Sequence, residues 1–373
     1  MNKFYRDSWI EVNLQHIIDN IEQLKQKLPN HTRIYAVVKA NAYGHGDIRV
    51  AKAALKAGAH RLAVATLDEA LHLRNAEINA PILVLGWIRP EDVPLAIQHE
   101  ITVTCFHKEW IEEVRALDIT KAIKVHLKWD TGMGRIGIRT EEELITILSL
   151  LQHPNFELEG IFTHFAVADE TDTTHFEMQQ TQFDKLYDTF QKYWDNHENV
   201  LLHTGNSAAS MRFPDKMLDY IRYGISMYGL YPSRVVKEER PITLKPAMSL
   251  YSRLINVKRV ERGTTISYGA TYEAKELEWI GTVPLGYADG IRRGLQGQEV
   301  LVNGERCEIV GRICMDQFMI RLPKEAKLGD KVTLIGTQGK DTIEMDEWAD
   351  KLNTINYEIA CMLSSRVPRI YIE

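Results

Sequence analysis

In the stretch IYAVVKANAYGHG, residues 34–46, an apolar run ends on Lys39. A lysine at the end of a buried strand holds its amine in one place, and a partly neutral amine there can attack a carbonyl and form a Schiff base. Other chemistry-bearing residues fall at comparable places. Lys128 and Asp130 close the run IKVHLKW and precede TGMGRIG with Arg135. His164 ends LEGIFTHF, His203 and the pair Asn206–Ser207 end NVLLHTG, and Arg222 lies within YIRYGIS. Singly, a strand-terminal lysine is most often a solvated edge charge, and a single histidine a satisfied core residue. Their recurrence at successive strand ends argues for one shared site. The segments TGNSAAS and RYGISMYG are rich in small residues, and Ser207 and Gly224 allow close backbone approach. Ser207 is either an ordinary cap for a helix beginning near Asn206 or a contact for an anion at that N-terminus. A phosphate site opposite a strand-end lysine points to a phosphorylated cofactor held through a Schiff base. Pyridoxal 5'-phosphate is the leading candidate.

Such a site needs a scaffold that brings strand ends together. From residue 14, Leu14, Ile17, Ile18, Ile21, Leu24 and Leu28 recur with the period of a helix. Strand-like and helix-like segments then alternate. The strands are RIYAVVK, RLAVAT (61–66), PILVLG (81–86), ITVTCF (101–106), IKVHLKW (123–129), LEGIFTHF (158–165), NVLLHTG (199–205) and YIRYGIS (220–226). Thr66 and Glu69 form a capping box before LHLRNA, and Thr140 starts the helix TEEELITILSLLQ. TQFDKLYDTFQKYW places Phe183, Leu186, Tyr187, Phe190, Tyr193 and Trp194 on one helical side. Eight alternations predict a (β/α)8 TIM barrel over residues 1–240, whose active site lies at the C-terminal strand ends. A doubly wound sheet fits less well, because no G-x-G-x-x-G turn follows the first strand. From Pro241 long helices cease. The runs MSLYSRLINVKRV, EWIGTVPLG, EVLVNGERCEIVGRI, QFMIRL and DKVTLIG read as strands, VNGE as a hairpin turn and MDEWADKLN as one short helix. Residues 241–373 are therefore expected to form a mostly β domain, with residues 1–13 free to pack with it.

Composition narrows the function. The 373 residues carry a formal net charge of −6, which disfavours nucleic acid, whose phosphates call for a basic face. Cys105, Cys307, Cys314 and Cys361 form no C-x-x-C pair, so neither a disulfide framework nor a metal site is expected. Reduced thiols fit a cytoplasmic protein. The N-terminus lacks a signal-peptide core, and runs such as ILVLGWI are too short to span a membrane.

AVVKANAYGHG resembles the cofactor-lysine signature of bacterial alanine racemases. LKWDTGMGRIG, GIFTHFAVADE, HTGNSA, RYGISMYGLYPS, ISYGATYEA, GYADG, GRICMDQ and INYEIACML resemble that family in the same order and cover nearly the whole chain. The resemblance implies a homodimer of barrel-plus-β chains with shared active sites, interconverting L- and D-alanine and supplying D-alanine for peptidoglycan. It implies that Lys39 carries pyridoxal phosphate and that Tyr268 of the other subunit is the second acid/base. Arg222, held by His164, would face the pyridine nitrogen. Tyr43, Ser207, Gly224, Ile225 and Tyr357 would hold the phosphate, and Arg135 with the backbone at Met315 the substrate carboxylate. Lys128 matches a lysine often carbamylated in the family and then paired with Arg135; Trp129 follows it where a smaller apolar residue is expected. Two bases on opposite faces return a proton without one base crossing the substrate. A serine or broad-specificity racemase is the alternative. A decarboxylase on the same scaffold fits less well, because it would place an acid, not Arg222, at the ring nitrogen.

Overall fold

The computed structural model describes residues 5–373. Its described residues divide into two compact units, one of residues 16–42 and 47–245, the other of residues 5–15, 43–46 and 246–373. Of the N-terminal residues expected to pack with the β domain, 1–4 lie outside the described residues.

The first unit is a closed parallel barrel of eight strands. They are numbered after β1 (Ser8–Asn13) of the other unit, as β2 (Arg33–Val37), β3 (Arg61–Val64), β4 (Ile82–Val84), β5 (Ile101–Cys105), β6 (Ile123–Lys128), β7 (Phe156–Phe162), β8 (Leu201–Gly205) and β9 (Tyr220–Tyr223). β2 pairs β9 in register Tyr35↔Arg222, which closes the ring. The surrounding helices begin as their sequences dictate. Thr66 and Thr140 both form complete capping boxes, with Glu69 and Glu143 reaching back. The helix Thr174–Tyr193 buries Phe176, Phe183, Leu186 and Phe190, while Tyr193 is exposed and Trp194 is the C-cap. The expected apolar side is thus narrower than the full set of aromatics.

The barrel's own core departs from the usual filling of Val, Ile and Leu. Tyr35, His126 and His203 are buried inside it, with Tyr35 and His203 rings 5.2 Å apart and Phe162 stacked on His203 at 4.8 Å. A polar plug of this kind stabilises less than apolar side chains of the same volume. Its purpose is therefore sought in the site above it.

The second unit is built on a ten-stranded sheet in which β1 pairs antiparallel with β10 (Met248–Arg253) and parallel with β20 (Arg369–Ile372). Between these come β11 (Asn256–Val260), β12 (Thr265–Ile266), β13 (Tyr272–Glu273), β14 (Glu278–Val283), β15 (Glu299–Val302), β16 (Glu305–Val310), β17 (Phe318–Leu322), β18 (Lys331–Gln338) and β19 (Asp341–Ile343). Asn303 and Gly304, both at positive φ, make the β15–β16 hairpin that the Asn-Gly pair predicts. Two helices, Met345–Leu352 and Asn356–Met362, stand where one was expected. The second was hidden because INYEIACM is short and its apolar residues cluster without a long period.

Candidate active site

Lys39 follows β2 directly after Val38, and the chain then turns through an unusual conformation. Ala40, Asn41, Ala42 and Tyr43 all have left-handed φ, between 51° and 53°. Each such non-glycine residue costs on the order of 1–2 kcal/mol, so the turn must be held from outside. Glu69 does so from the barrel side: its Oε1 accepts the Ala40 N–H at 2.7 Å, while Oε2 accepts those of Ala65 and Thr66. Asn41 Oδ1 accepts the Asp47 N–H at 3.0 Å. Sequence reasoning found the capping box but missed this second duty of Glu69. At the next residue, Gly44, φ is +80° and a Cβ would lie 2.2 Å from the Ala360 carbonyl oxygen, so glycine is required.

Arg222 is the best-held side chain at the barrel mouth. Nη1 donates to His203 Nδ1 (2.8 Å) and the His203 carbonyl (2.9 Å). Nη2 donates to the carbonyls of Thr163 (2.6 Å) and Thr204 (3.1 Å) and to His164 Nδ1 (3.2 Å). His164 is thus a partner of Arg222, as the family resemblance implied, but His203 is the closer one and was not assigned that role. Burial, reinforced by Arg222, drives both histidines well below the ordinary imidazole range, so both are neutral. A neutral Nδ1 in each can accept from a guanidinium that has only donors. Among the described residues no hydrogen bond from Arg222 Nε is formed, so one N–H of a buried cation is available to an incoming acceptor.

Lys128 projects from the end of β6 over the Phe162 ring, 4.7 Å from its centroid, and the Arg222 guanidinium lies 5.3 Å from the same centroid. Burial, then the charges of Arg222 and Arg135, bring its amine down to about 7. The charges of Lys39 and Arg135 also reach both Lys128 and His164. Lys39, Lys128, Arg135, His164 and Arg222 therefore share one end of the barrel. Asp130 folds the loop carrying Arg135 by accepting the N–H groups of Gly132 (3.2 Å) and Gly134 (2.9 Å). Trp129 is fully buried, turned outward from Lys128 and packed on Phe183 at 5.0 Å. The larger side chain fills the space beneath the helix, not the site. Gln179, on that helix, donates to the His164 carbonyl and accepts the Ala166 N–H; nothing in the sequence singled it out.

Ser207 is not the cap considered for its helix. Asn206 is: its Oδ1 accepts the Ala209 N–H at 2.9 Å. Ser207 Oγ instead accepts the Gly224 N–H at 3.0 Å and keeps its own proton for an anion. A phosphate at Gly224 would share or displace that amide bond. Ile225 opens the short turn Ile225–Tyr228 and is buried.

The remaining expected residues belong to the sheet-built unit. Tyr43 is buried, its ring 6.2 Å from that of Tyr357, and burial raises its phenol above the usual range. Tyr268 is 72% exposed, in a turn flanked by Ser267 and Ala270 at positive φ, with Ser267 Oγ donating to the Arg312 carbonyl. Met315 is 53% exposed, and its carbonyl accepts the Ala288 N–H. Tyr287, in the adjoining loop, donates its N–H to the Cys314 carbonyl. Buried Asp289 anchors these loops by accepting two bonds from Arg6 and one from the Gly286 N–H.

A barrel whose mouth gathers lysines, arginines and neutral histidines, continued in the chain by a mostly β unit, defines a class of barrel proteins equipped for lysine-based chemistry. The profile of the alanine racemase N-terminal domain matches residues 12–232, and that of the C-terminal domain residues 247–371. An alanine racemase of Geobacillus stearothermophilus is 54% identical over 373 residues, spanning 100% of this chain and 95% of the relative. The crystal structure of alanine racemase from Bacillus anthracis with bound L-Ala-P has a TM-score of 0.97 at 50% identity, covering 100% of this chain and 96% of that one. A histidine racemase from Leuconostoc mesenteroides subsp. sake shares the fold, with a TM-score of 0.90, 31% identity and 100% coverage of both chains. The chain belongs to the alanine racemase family.

Membership implies dependence on pyridoxal phosphate. The donor set fits that group: a strand-end lysine, a hydroxyl with a free proton beside a glycine amide, and the available Arg222 Nε–H. Among the described residues no helix is long and apolar enough to cross a membrane, and no cluster of side chains could hold a metal ion.

Proposed function

We propose that the chain interconverts L- and D-alanine, supplying D-alanine for peptidoglycan, as a cytoplasmic homodimer. The observation that carries this reading is Arg222: a buried guanidinium held by neutral histidines and by carbonyls, with one N–H to offer a ring nitrogen. Pyridoxal phosphate, when bound, supplies an electron sink for the substrate α-carbon. Tyr43, Ser207, Gly224, Ile225 and Tyr357 would hold its phosphate, and Lys39 its aldehyde carbon.

The chain's own groups perform the proton work. Lys39 exchanges a proton on one face of the α-carbon, and Tyr268 of a second chain exchanges one on the other. Arg222 only donates, so a nitrogen facing it stays unprotonated and the sink stays weak. Arg222 would thereby disfavour side reactions such as transamination. Arg135 and the Met315 backbone bind the substrate carboxylate. The neutral amine of Lys128, well populated because burial and neighbouring cations bring it down to about 7, adds to carbon dioxide and releases a proton to water, giving a carbamate that pairs with Arg135. The exposure of Tyr268 supports the dimer, because an acid/base group of a completed site is expected to be covered, and a second chain would supply that cover.

Incubation of the purified protein with L-alanine, L-serine and L-lysine, followed by chiral analysis and carbon dioxide measurement, tests the reading. D-alanine is the expected main product. Its absence, or carbon dioxide release, would overturn it.

A further inference from the structure

A chain of hydrogen bonds crosses the barrel interior beneath Arg222. Glu159 Oε2, on β7, lies 3.1 Å from His126 Nε2. His126 Nδ1 lies 2.8 Å from His203 Nε2, and His203 Nδ1 lies 2.8 Å from Arg222 Nη1. Both histidines are fully buried.

Every proton in this chain can be assigned. Arg222 has only N–H groups, so His203 Nδ1 must accept. His203 then carries its proton on Nε2 and donates to His126 Nδ1. His126 in turn carries its proton on Nε2 and donates to Glu159, which accepts as a carboxylate. A second proton on either ring would set two N–H groups face to face at 2.8 Å. Burial, which disfavours the charged imidazole, agrees. Glu159 is held ionised by neighbours on the same side: Arg61 Nη1 at 2.9 Å, Thr102 Oγ1 at 3.2 Å and Lys124 Nζ at 3.6 Å. The His126 seat is built for its ring, since a Cβ on Gly160 would lie 2.4 Å from it.

Apolar side chains would fill this space at less cost than two histidines and a carboxylate. The network is therefore better explained by what it does to Arg222. We propose that Glu159 is a positioning residue: through His126 and His203 it imposes one proton arrangement around Arg222 and keeps that guanidinium aimed as a donor at the cofactor's ring nitrogen. The last clause rests on the proposed function; the proton arrangement does not.

The test uses full-length protein with bound pyridoxal phosphate, labelled with [15N]histidine, as wild type, Glu159→Leu and Glu159→Gln. In the wild type both buried histidines give the signals of neutral rings protonated at Nε2. Glu159→Leu removes the acceptor. Signals of the Nδ1-protonated form then appear, the visible absorption band of the bound cofactor shifts, and kcat falls about ten- to a hundredfold with KM changed less than about twofold, as for loss of a group that fixes a histidine tautomer. Glu159→Gln can still accept the bond, so it keeps the tautomers while lowering kcat about two- to fivefold with a smaller band shift. A wild-type His203 protonated at Nδ1 would overturn the proposal. So would a Leu variant that loses activity and melts earlier yet keeps the wild-type histidine signals and absorption band. If the Leu variant does not fold, a Gln variant with unchanged absorption and kcat overturns it. A wild type that shows the tautomers but makes no D-alanine would sink the functional reading alone.

Discussion

The barrel mouth and the loop cluster around Tyr268 are prepared in different ways. At the mouth, Arg222 is buried under five hydrogen bonds and Lys128 has its amine lowered by burial and neighbouring cations. Tyr268 stands in an exposed turn, and what ties that turn down is backbone scaffold, with the Ser267 hydroxyl donating to the Arg312 carbonyl. In the barrel the electrostatics are fixed when the chain folds. At Tyr268 only the backbone is fixed, and the environment of the phenol must come from elsewhere. On the proposed reading of a shared site, each chain would prepare one half of a reaction centre.

The largest effect is expected at Lys39. Lys39→Ala should lower kcat by at least about a thousandfold, the scale on which removal of a nucleophile acts. Tyr268→Phe should cost about a hundred- to ten-thousandfold, as for a lost acid/base group, and should spare α-proton exchange on the Lys39 face. The two combine into a sharper test. Mixing Lys39→Ala and Tyr268→Phe chains places both changes in one site of each hybrid dimer and neither in the other. Activity should return to about one quarter of wild type if sites are shared across a two-fold interface. No recovery on mixing, with hybrid formation shown by native mass spectrometry, would mean that each chain keeps both bases for itself.

A smaller effect belongs to Lys128. Its amine is brought down to about 7, so the reactive neutral form grows as pH rises through that value. With [13C]bicarbonate, the carbamate signal should increase from about pH 6 to about pH 8, whereas an unperturbed lysine would stay almost wholly protonated over that range. Lys128→Ala should abolish the signal and raise the KM for alanine about tenfold through the loosened Arg135. A signal that persists in the variant would place the carbamate on another lysine.

The sequence exposed the scaffold and the residues at strand ends because those depend on short-range pattern. Hydrophobic period and capping residues marked the barrel helices, and polar residues stood out at the ends of apolar runs. What stayed hidden depends on partners far apart in the chain. Glu159, His126 and His203 lie on three different strands, and a histidine in an apolar run gives no sign of its tautomer. Glu69 was legible as a cap but not as the clamp on Ala40, since nothing in KANAY announces four left-handed residues. Ser207 was legible as a polar residue near a helix start, yet its neighbour Asn206 took the cap and freed it for Gly224. Tyr268 could be read only through the family resemblance, because an exposed tyrosine in a turn carries no chemical signature.

The smallest expected effect isolates what the barrel adds to an ordinary cap. Thr66 and Thr140 cap their helices with nearly the same geometry, accepting from Glu69 N at 3.3 Å and Glu143 N at 3.2 Å. Each should contribute about 1 kcal/mol, so Thr66→Ala and Thr140→Ala should both lower the melting temperature by about 2–4 °C. The difference lies in the second oxygen. Among the described residues Glu143 serves only its own helix start, whereas Glu69 also holds the Ala40 N–H beside Lys39. Thr66→Ala leaves the Glu69 carboxylate bonded to the backbone N–H groups of residues 65, 66 and 40, whereas Glu69→Ala releases Ala40, and the left-handed turn is costly enough to relax when released. Glu69→Ala should therefore also lower kcat, by about two- to fivefold for a group that orients the catalytic one indirectly, while Glu143→Ala leaves it unchanged. Equal kcat in the two variants would show that the turn holds Lys39 without Glu69, and that the rigidity at the barrel mouth comes from Arg222 and its histidines alone.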